Sequence, residues 1–164
     1  VDYTQGAMHN ASRENFRAIH DEPMSQGTRC RQLAEYIVFD SPLNMLCDSP
    51  SSYEREHECT SFIAGIPTVW DHTTVLCGKV SEYIARQKGN IWYVGAMTNW
   101  EECTIEIDLS FLGAGDFKAE IFRDGVNAYR YARDYKKELI EIPADRKLKV
   151  RMAPGGGFAA RIYQ

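Results

Sequence analysis

The sequence lacks the patterns that define several common classes of protein. No apolar run approaches the roughly 20 residues that a membrane-spanning helix requires. No P-loop, Rossmann fingerprint or Ser/His/Asp arrangement is recognisable. What is present is ordinary for a globular chain of 164 residues, with 44% hydrophobic and 26% charged residues. Such a length accommodates one domain or two small ones.

The five cysteines do not form a recognisable site. No two of them have the CxxC spacing of a zinc ligand pair, and an odd, sparse set does not describe a disulfide framework. Cys30 and Cys59 fall on the apolar faces of two predicted helices, so we expect them to be small core residues.

Basic residues are too few and too dispersed for a nucleic-acid surface. The net charge is −4, and residues 1–74 hold 5 Lys or Arg against 11 Asp or Glu. Because phosphate binding requires a concentrated basic face, a nucleic-acid partner is disfavoured. The acidic first part suits a polar uncharged ligand or a cation, and it is equally typical of a solvated surface.

The pattern of the chain changes near Val75. Before it, Ser25 is the predicted N-cap of a helix over residues 25–39, and Pro42 follows that helix. The short apolar stretch Leu43–Cys47 is predicted as a buried strand. Ser51 or Ser52 is then predicted to cap a second helix over residues 52–66. Helix, strand and helix in this order are typical of an α/β layer.

After Val75 the apolar residues alternate with polar ones, as in half-buried strands. About seven strands are predicted, and they lie at Val80–Arg86, Ile91–Met97, Ile105–Leu109, Phe117–Ile121, Tyr135–Ile142, Leu148–Met152 and Gly157–Tyr163. Lys88-Gly89-Asn90 predicts a hairpin between the first two. We therefore expect an α+β chain, with helical residues 1–74 followed by an antiparallel β-sandwich at 75–164.

Asp2, Tyr3 and Asp48 are the candidate substrate-binding residues. A loop aspartate beside an aromatic ring can hold a sugar, because the carboxylate accepts hydroxyl hydrogen bonds and the ring covers a pyranose face. Asp48 directly follows the predicted strand Leu43–Cys47, and loops in that position carry binding sites in α/β folds. Both aspartates also suit ordinary turns.

Three glutamates, Glu54, Glu56 and Glu58, lie near His57 at the start of the second predicted helix. Their spacing directs them around the helix axis, so a favourable interaction with the helix dipole explains them better than acid–base chemistry. Among the aromatics of the second half, Trp92 and Trp100 are candidate sugar platforms, although packing accounts for most aromatic residues in strands.

Several stretches of the chain together resemble glycoside hydrolase family 97. In the first part they are Asp2–Met8, Met24–Arg29, Ser41–Leu46 and Ser49–Glu54, which resemble the end of the family's catalytic barrel. In the second part they are Gly78–Ile84, Trp92–Thr98, Phe122–Gly125 and Ala153–Arg161, which resemble its C-terminal β domain. The resemblance covers essentially the whole chain in order.

The resemblance implies the C-terminal fragment of a bacterial exo-acting α-glucosidase or α-galactosidase that acts on an α-linked oligosaccharide. It implies residues 1–74 as the remnant of a (β/α)8 barrel, with Leu43–Cys47 as its last strand. It also implies calcium in the parent enzyme and a periplasmic location, although no signal pattern is visible here. The family's catalytic glutamates and calcium ligands precede this segment, so no catalytic or metal residue is assigned to it.

Two functional hypotheses follow. In the first, the fragment is inactive alone, its β domain supports the barrel, and the apolar faces of residues 25–66 promote self-association. In the second, from a different class, the chain is a stand-alone carbohydrate-binding or protein-interaction module, with Trp92 or Trp100 as a stacking platform.

Overall fold

The structure is a computed structural model that describes residues 3–76 and 83–164. In the first part of the chain the elements, in order, are β1 (Tyr3–Thr4), β2 (Asn10–Ala11), β3 (Ser25–Gln26), α1 (Arg29–Val38), β4 (Asn44–Met45), α2 (Pro50–Arg55) and α3 (His57–Ala64). The second part consists of β5 (His72–Val75), β6 (Tyr83–Lys88), β7 (Ile91–Met97), β8 (Cys103–Asp108), β9 (Lys118–Asp124), β10 (Tyr135–Glu141), β11 (Lys147–Met152) and β12 (Gly157–Tyr163), with a 3-10 turn at Ser110–Leu112. No helix in either range is long and apolar enough to cross a membrane.

Six strands form one antiparallel sheet in the order β10-β9-β12-β7-β6-β5. The central strand β12 places Ala160 opposite Val94 of β7 and Ile121 of β9. The predicted hairpin at Lys88-Gly89-Asn90 is confirmed, since β6 and β7 pair as far as Lys88 and Ile91. The chain is thus mostly β structure with few helices.

A two-stranded ribbon of β8 and β11 covers one face of the sheet. Because side chains alternate along a strand, every second residue of the central strands enters this first core. Its fully or almost fully buried members include Val94, Ala96, Ile107, Met152, Phe158 and Ile162. The two layers are unequal, with six strands facing two.

Helix α1 covers the other face of the sheet. Its side chains Leu33 and Ile37 are fully buried against Tyr93, Phe122 and Ala159, which alternate with the residues of the first core. The expected core positions of Cys30 and Cys59 are confirmed, since both are fully buried in this second core, where α3 also packs.

Two glycines of the sheet allow α1 to approach closely. A Cβ on Gly157 would lie 2.5 Å from Cα of Arg31, and one on Gly95 would lie 3.1 Å from the carbonyl oxygen of Ala34. The glycines therefore set the distance between the helix and the sheet by sterics.

The helix starts differ from the predictions. Thr28, not Ser25, caps α1, because its hydroxyl accepts a hydrogen bond from N–H of Arg31. Ser25 instead lies in β3 and donates to the carbonyl oxygen of Ala7. The second predicted helix is two helices, since Ser49 caps α2 and the backbone leaves the helical conformation at Glu56.

The predicted buried strand Leu43–Cys47 was wrong in length and burial. Only Asn44–Met45 is a strand, and the large apolar side chains around it are exposed, at 54% for Leu43, 43% for Met45 and 56% for Leu46. The apolar residues of this stretch predicted that another part of the chain would cover them, but none of the described residues does so. The part of the first predicted β strand at 80–82 lies outside the described residues.

Candidate functional site

The two parallel strands β1 and β4 bring two loops to the same edge. Tyr3 pairs with Asn44 and Thr4 with Met45, so the segments that follow Thr4 and Met45 leave in the same direction. They are joined by Asp48, whose Oδ2 accepts a hydrogen bond of 2.7 Å from the backbone N–H of Met8. Asp48 therefore lies at the carboxyl ends of parallel strands, the location predicted for a binding residue.

The buried guanidinium of Arg29 bonds to three groups near the edge where β1 and β4 end. Arg29 is fully buried, and its Nε donates to Oδ1 of Asn10 at 2.5 Å. One terminal nitrogen pairs with Oε2 of Glu56 at 2.8 Å, and the other donates to the carbonyl oxygen of Met8. A buried charge requires partners of this kind. They lie in β2 (Asn10), in the loop before it (Met8) and at the junction of α2 and α3 (Glu56).

Gln32 fixes the backbone of the loop after β1. Its Nε2 donates to the carbonyl oxygens of Gly6 at 2.9 Å and Ala7 at 3.1 Å, while its Oε1 accepts from Nδ2 of Asn10 at 3.0 Å. The loop before β2 is therefore held by buried side chains of α1. Helical spacing alone did not identify Arg29 or Gln32, because each lies beside apolar residues on the buried face of the helix.

A cavity of about 700 Å³ lies beside Asp48. Its lining combines acidic and basic side chains, namely Asp21, Glu22, Asp48, Glu56, Arg55 and Arg133. Carboxylates accept hydrogen bonds from hydroxyl groups and guanidinium groups donate them, so the lining suits a polar ligand rich in hydroxyl groups.

Cys47 also lines this cavity. Desolvation and the neighbouring carboxylate of Asp48 raise the pKa of its thiol above the ordinary value. Because the thiolate is the reactive form, the cavity does not activate Cys47 as a nucleophile at neutral pH.

Tyr3 is not part of the lining of this cavity. The ring of Tyr3 stacks on Phe39, with ring centroids 4.7 Å apart, so this aromatic face is already packed at the end of α1. Asp2 lies outside the described residues. Their predicted contact with sugar stays a prediction.

The three glutamates have separate environments. Glu58 lies in the first turn of α3, and its carboxylate accepts a hydrogen bond of 2.9 Å from the hydroxyl of Tyr135. Glu56 pairs with Arg29, and Glu54 lies beyond the first turn of α2. The predicted position at a helix start is confirmed for Glu58 and for Glu56, which is the N-cap residue of α3. It was wrong for Glu54, because one predicted helix is in fact two.

The two tryptophan candidates also differ. Trp92 packs on Phe111, with ring centroids 4.7 Å apart, and contacts the first core, as a packing residue does. Trp100 lines a second cavity together with Gln5 and Gly155.

Within the described ranges, no group of three or more His, Cys, Asp or Glu side chains converges as a metal site would require. The residues present thus offer no ligand set for the calcium ion that the resemblance implies. Calcium in the parent enzyme stays a prediction.

The second part of the chain has a recognisable relationship to known proteins. Residues 69–163 match a family model described as "Glycosyl-hydrolase 97 C-terminal, oligomerisation". The chain belongs to glycoside hydrolase family 97. The predicted resemblance is therefore confirmed, and the description of the family's C-terminal region includes oligomerisation.

Matches to curated relatives extend over the first part of the chain as well. The chain is 62% identical over 164 residues to a retaining alpha-galactosidase of Bacteroides thetaiotaomicron, a match covering 99% of this chain and 25% of the relative. It is 26% identical over 162 residues to a probable retaining alpha-galactosidase of Streptomyces bingchenggensis, covering 98% of this chain and 23% of the relative. The chain thus spans about a quarter of the length of these relatives.

Solved family 97 structures share the fold. A glycoside hydrolase family 97 enzyme of Pseudoalteromonas sp. strain K8, solved in complex with acarbose, superposes with a TM-score of 0.79 at 36% identity. That match covers 84% of this chain and 22% of the solved chain.

Proposed function

We propose that this chain is the C-terminal part of an exo-acting α-glycoside hydrolase, and that the parent enzyme is a retaining α-galactosidase. The observation that carries the proposal is the 62% identity to such an enzyme over essentially the whole chain. Galactosidase activity is favoured over glucosidase activity because both curated relatives carry the former name.

The first part of the chain is proposed to be the end of the parent's (β/α)8 barrel. Support comes from the connection of β1 to β4, which are parallel and joined through α1. Parallel strands linked by a helix are the repeating unit of that barrel. The exposed side chains of Leu43, Met45 and Leu46 would then be covered by the rest of the barrel.

The β domain is proposed to support the barrel through α1. The buried face of this helix packs on the six-stranded sheet, so the sheet would hold one of the barrel's outer helices in place. Asp48 is proposed to contribute to the rim of the sugar pocket, since it lies at the carboxyl end of β4, where barrel enzymes bind substrate. Asp2 and Tyr3 are proposed for the same rim because Tyr3 begins β1 and Asp2 directly precedes it in the sequence.

The fragment alone is proposed to be inactive. Glycoside hydrolysis with retention requires two carboxyl groups about 5–5.5 Å apart across the scissile bond. Glu56 and Glu58 are engaged by Arg29 and Tyr135, which supports a structural role for them. For the parent we also propose dependence on calcium and a periplasmic location, testable by chelation and by cell fractionation.

The test is hydrolysis of nitrophenyl α-galactoside and α-glucoside by the full-length protein and by the 164-residue chain. We expect the full-length protein to prefer the galactoside and the chain to hydrolyse neither. In the full-length protein, Asp48→Ala should lower kcat/KM about tenfold or more, because the loop between Gly6 and His9 loses the hydrogen bond that Asp48 accepts from Met8. Asp116→Ala, at an exposed position, serves as the control. Hydrolysis by the chain alone would overturn its proposed inactivity, and a preference for glucoside would overturn the assignment of substrate.

A further inference from the structure

A second cavity, of about 580 Å³, lies where the loop after β1 meets the β domain. It shares no lining residue with the cavity beside Asp48. Its polar and aromatic lining includes Gln5, Gln26, Arg31, Glu35, Asn99 and Trp100. A concave site with an aromatic ring and a few polar side chains has the general form of a small-molecule binding site.

Gln5 provides an unused hydrogen-bond acceptor in this lining. The residue is only 4% exposed, and its Nε2 donates to Oδ1 of Asn44 at 2.7 Å. Its Oε1 is buried with no hydrogen-bond partner in the part of the chain that the structure describes. An unsatisfied buried acceptor costs about 1–3 kcal/mol, so this carbonyl favours a ligand that donates a hydrogen bond.

Trp100 provides the aromatic surface. Its ring lies over the backbone of Gly155, where an added Cβ would come within 2.4 Å of ring atom Cζ3. Both backbone polar groups of Gly155 are hydrogen-bonded. Its N–H donates to the carbonyl oxygen of Asn99 at 2.6 Å, and its carbonyl oxygen accepts from the backbone N–H of Thr28 at 2.9 Å. The indole therefore rests on a fixed support.

The two ionisable side chains of the cavity have hydrogen-bond partners within the protein. Nε of Arg31 lies 3.1 Å from Oε1 of Glu35, and a terminal nitrogen of Arg31 donates to the carbonyl oxygen of Thr98 at 2.8 Å. Because Arg31 already bonds to Glu35 and to the backbone of Thr98, neither side chain is free to serve as the partner of an ionic ligand. A neutral ligand with hydroxyl groups and one flat face is favoured.

We propose that this cavity binds a neutral pyranose, galactose in the first instance, with its flat face on Trp100 and a hydroxyl donating to Oε1 of Gln5. The choice of sugar rests on the proposed function. The binding site itself rests on the cavity, the unused acceptor and the indole.

The test counts D-galactose molecules bound by the full-length protein, using isothermal titration calorimetry. Trp100→Ala is expected to lower that number by one per chain, and Trp100→Phe, which keeps a ring, to preserve it. Tyr131→Ala is the matched control, because Tyr131 is 62% exposed and lies outside this cavity's lining. An unchanged number in Trp100→Ala would overturn the proposal.

Crystals of the wild-type protein soaked in D-galactose provide a second measurement that does not depend on the folding of a variant. We expect a sugar ring stacked on Trp100, and an empty cavity at saturating galactose would overturn the site. Hydrolysis of nitrophenyl α-galactoside by the wild-type protein is measured in parallel. If the wild-type protein does not hydrolyse nitrophenyl α-galactoside, the proposed function is contradicted. The soak and the titration test only the binding site.

Discussion

Glu35 shows how a single residue makes stability depend on pH. Burial raises the pKa of its carboxyl to about 7 from 4.5, even though Arg31 pairs with it and opposes the rise. The folded state therefore holds this proton more tightly than the unfolded state does. The stabilisation is fully present below pH 4.5 and is lost as the pH rises through about 7.

We expect Glu35→Gln to remove most of that dependence. Between pH 4.5 and 8 the wild-type free energy of unfolding should fall relative to the variant by roughly 1–3 kcal/mol, since each tenfold change in proton affinity corresponds to about 1.4 kcal/mol. Urea denaturation at a series of pH values measures the difference. Glu54→Gln, at an exposed position of α2, is the control, and parallel curves for wild type and Glu35→Gln would contradict the prediction.

Arg29 is the residue on which the candidate site depends most. Arg29→Met should destabilise the protein by about 1–3 kcal/mol, because the partly buried Glu56 loses its ion-pair partner and the oxygens of Asn10 and Met8 lose a donor. Thermal or urea denaturation measures the loss, with the exposed Arg55→Met as control. Adding Glu56→Gln to Arg29→Met should recover part of the stability, and a double variant no more stable than the single one would count against this account.

Some residues of the candidate site were predicted from the sequence and others were not. Asp48 was predicted from its place after an apolar stretch, which is a local property of the chain. Arg29 and Gln32 contact loops that lie about 20–26 residues away along the sequence. No local pattern reports such a contact, so these residues were missed.

At the scale of elements, the packing of α1 on the sheet depends on glycine. Gly157→Ala should destabilise the protein by about 1–3 kcal/mol, since the new Cβ would overlap the backbone of Arg31 and force the helix away from the sheet. Gly65→Ala is the matched control, because its Cβ would meet its nearest atoms at 3.5–3.6 Å, an ordinary contact. Equal melting temperatures for the two variants would show that α1 does not depend on this close approach.

Elements differ in how well the sequence predicted them. Strands β7 and β12 begin and end at the predicted residues, because alternation over seven residues and a nearby glycine define them locally. The helices over residues 50–64 were predicted as one. The separation at Glu56 coincides with its ion pair to Arg29, a contact between distant segments that sequence periodicity does not contain.

At the scale of the whole molecule, the exposed apolar residues around β4 are expected to cause self-association of the isolated chain. The prediction that the apolar faces of residues 25–66 are exposed was wrong for both α1 and α3, since their apolar faces are already buried in the second core. The exposed apolar side chains there include Leu43, Met45 and Leu46. Contiguous exposed residues of this kind favour association in water.

The double variant Leu43→Lys and Leu46→Lys should therefore shift the isolated chain toward monomer in sedimentation velocity measurements. The exposed pair Val126→Lys and Leu139→Lys is the control for added charge, because these side chains are 80% and 67% exposed elsewhere on the chain. If both double variants change the sedimentation coefficient equally, the surface around β4 is not the cause.

The sequence by itself determined most strands after Val75, the change of pattern there, the family and the loop position of Asp48, because each follows from local spacing or from an ordered series of motifs. The tertiary structure alone decided that α1 is buried on the sheet, that Arg29 and Gln32 hold the loop after β1, and that Trp100 and Gln5 line one cavity. Those features arise from contacts between segments far apart in the chain, and they depend on close packing and on burial of paired polar groups. Local periodicity in the sequence predicts neither the close packing of distant segments nor the burial of paired polar groups.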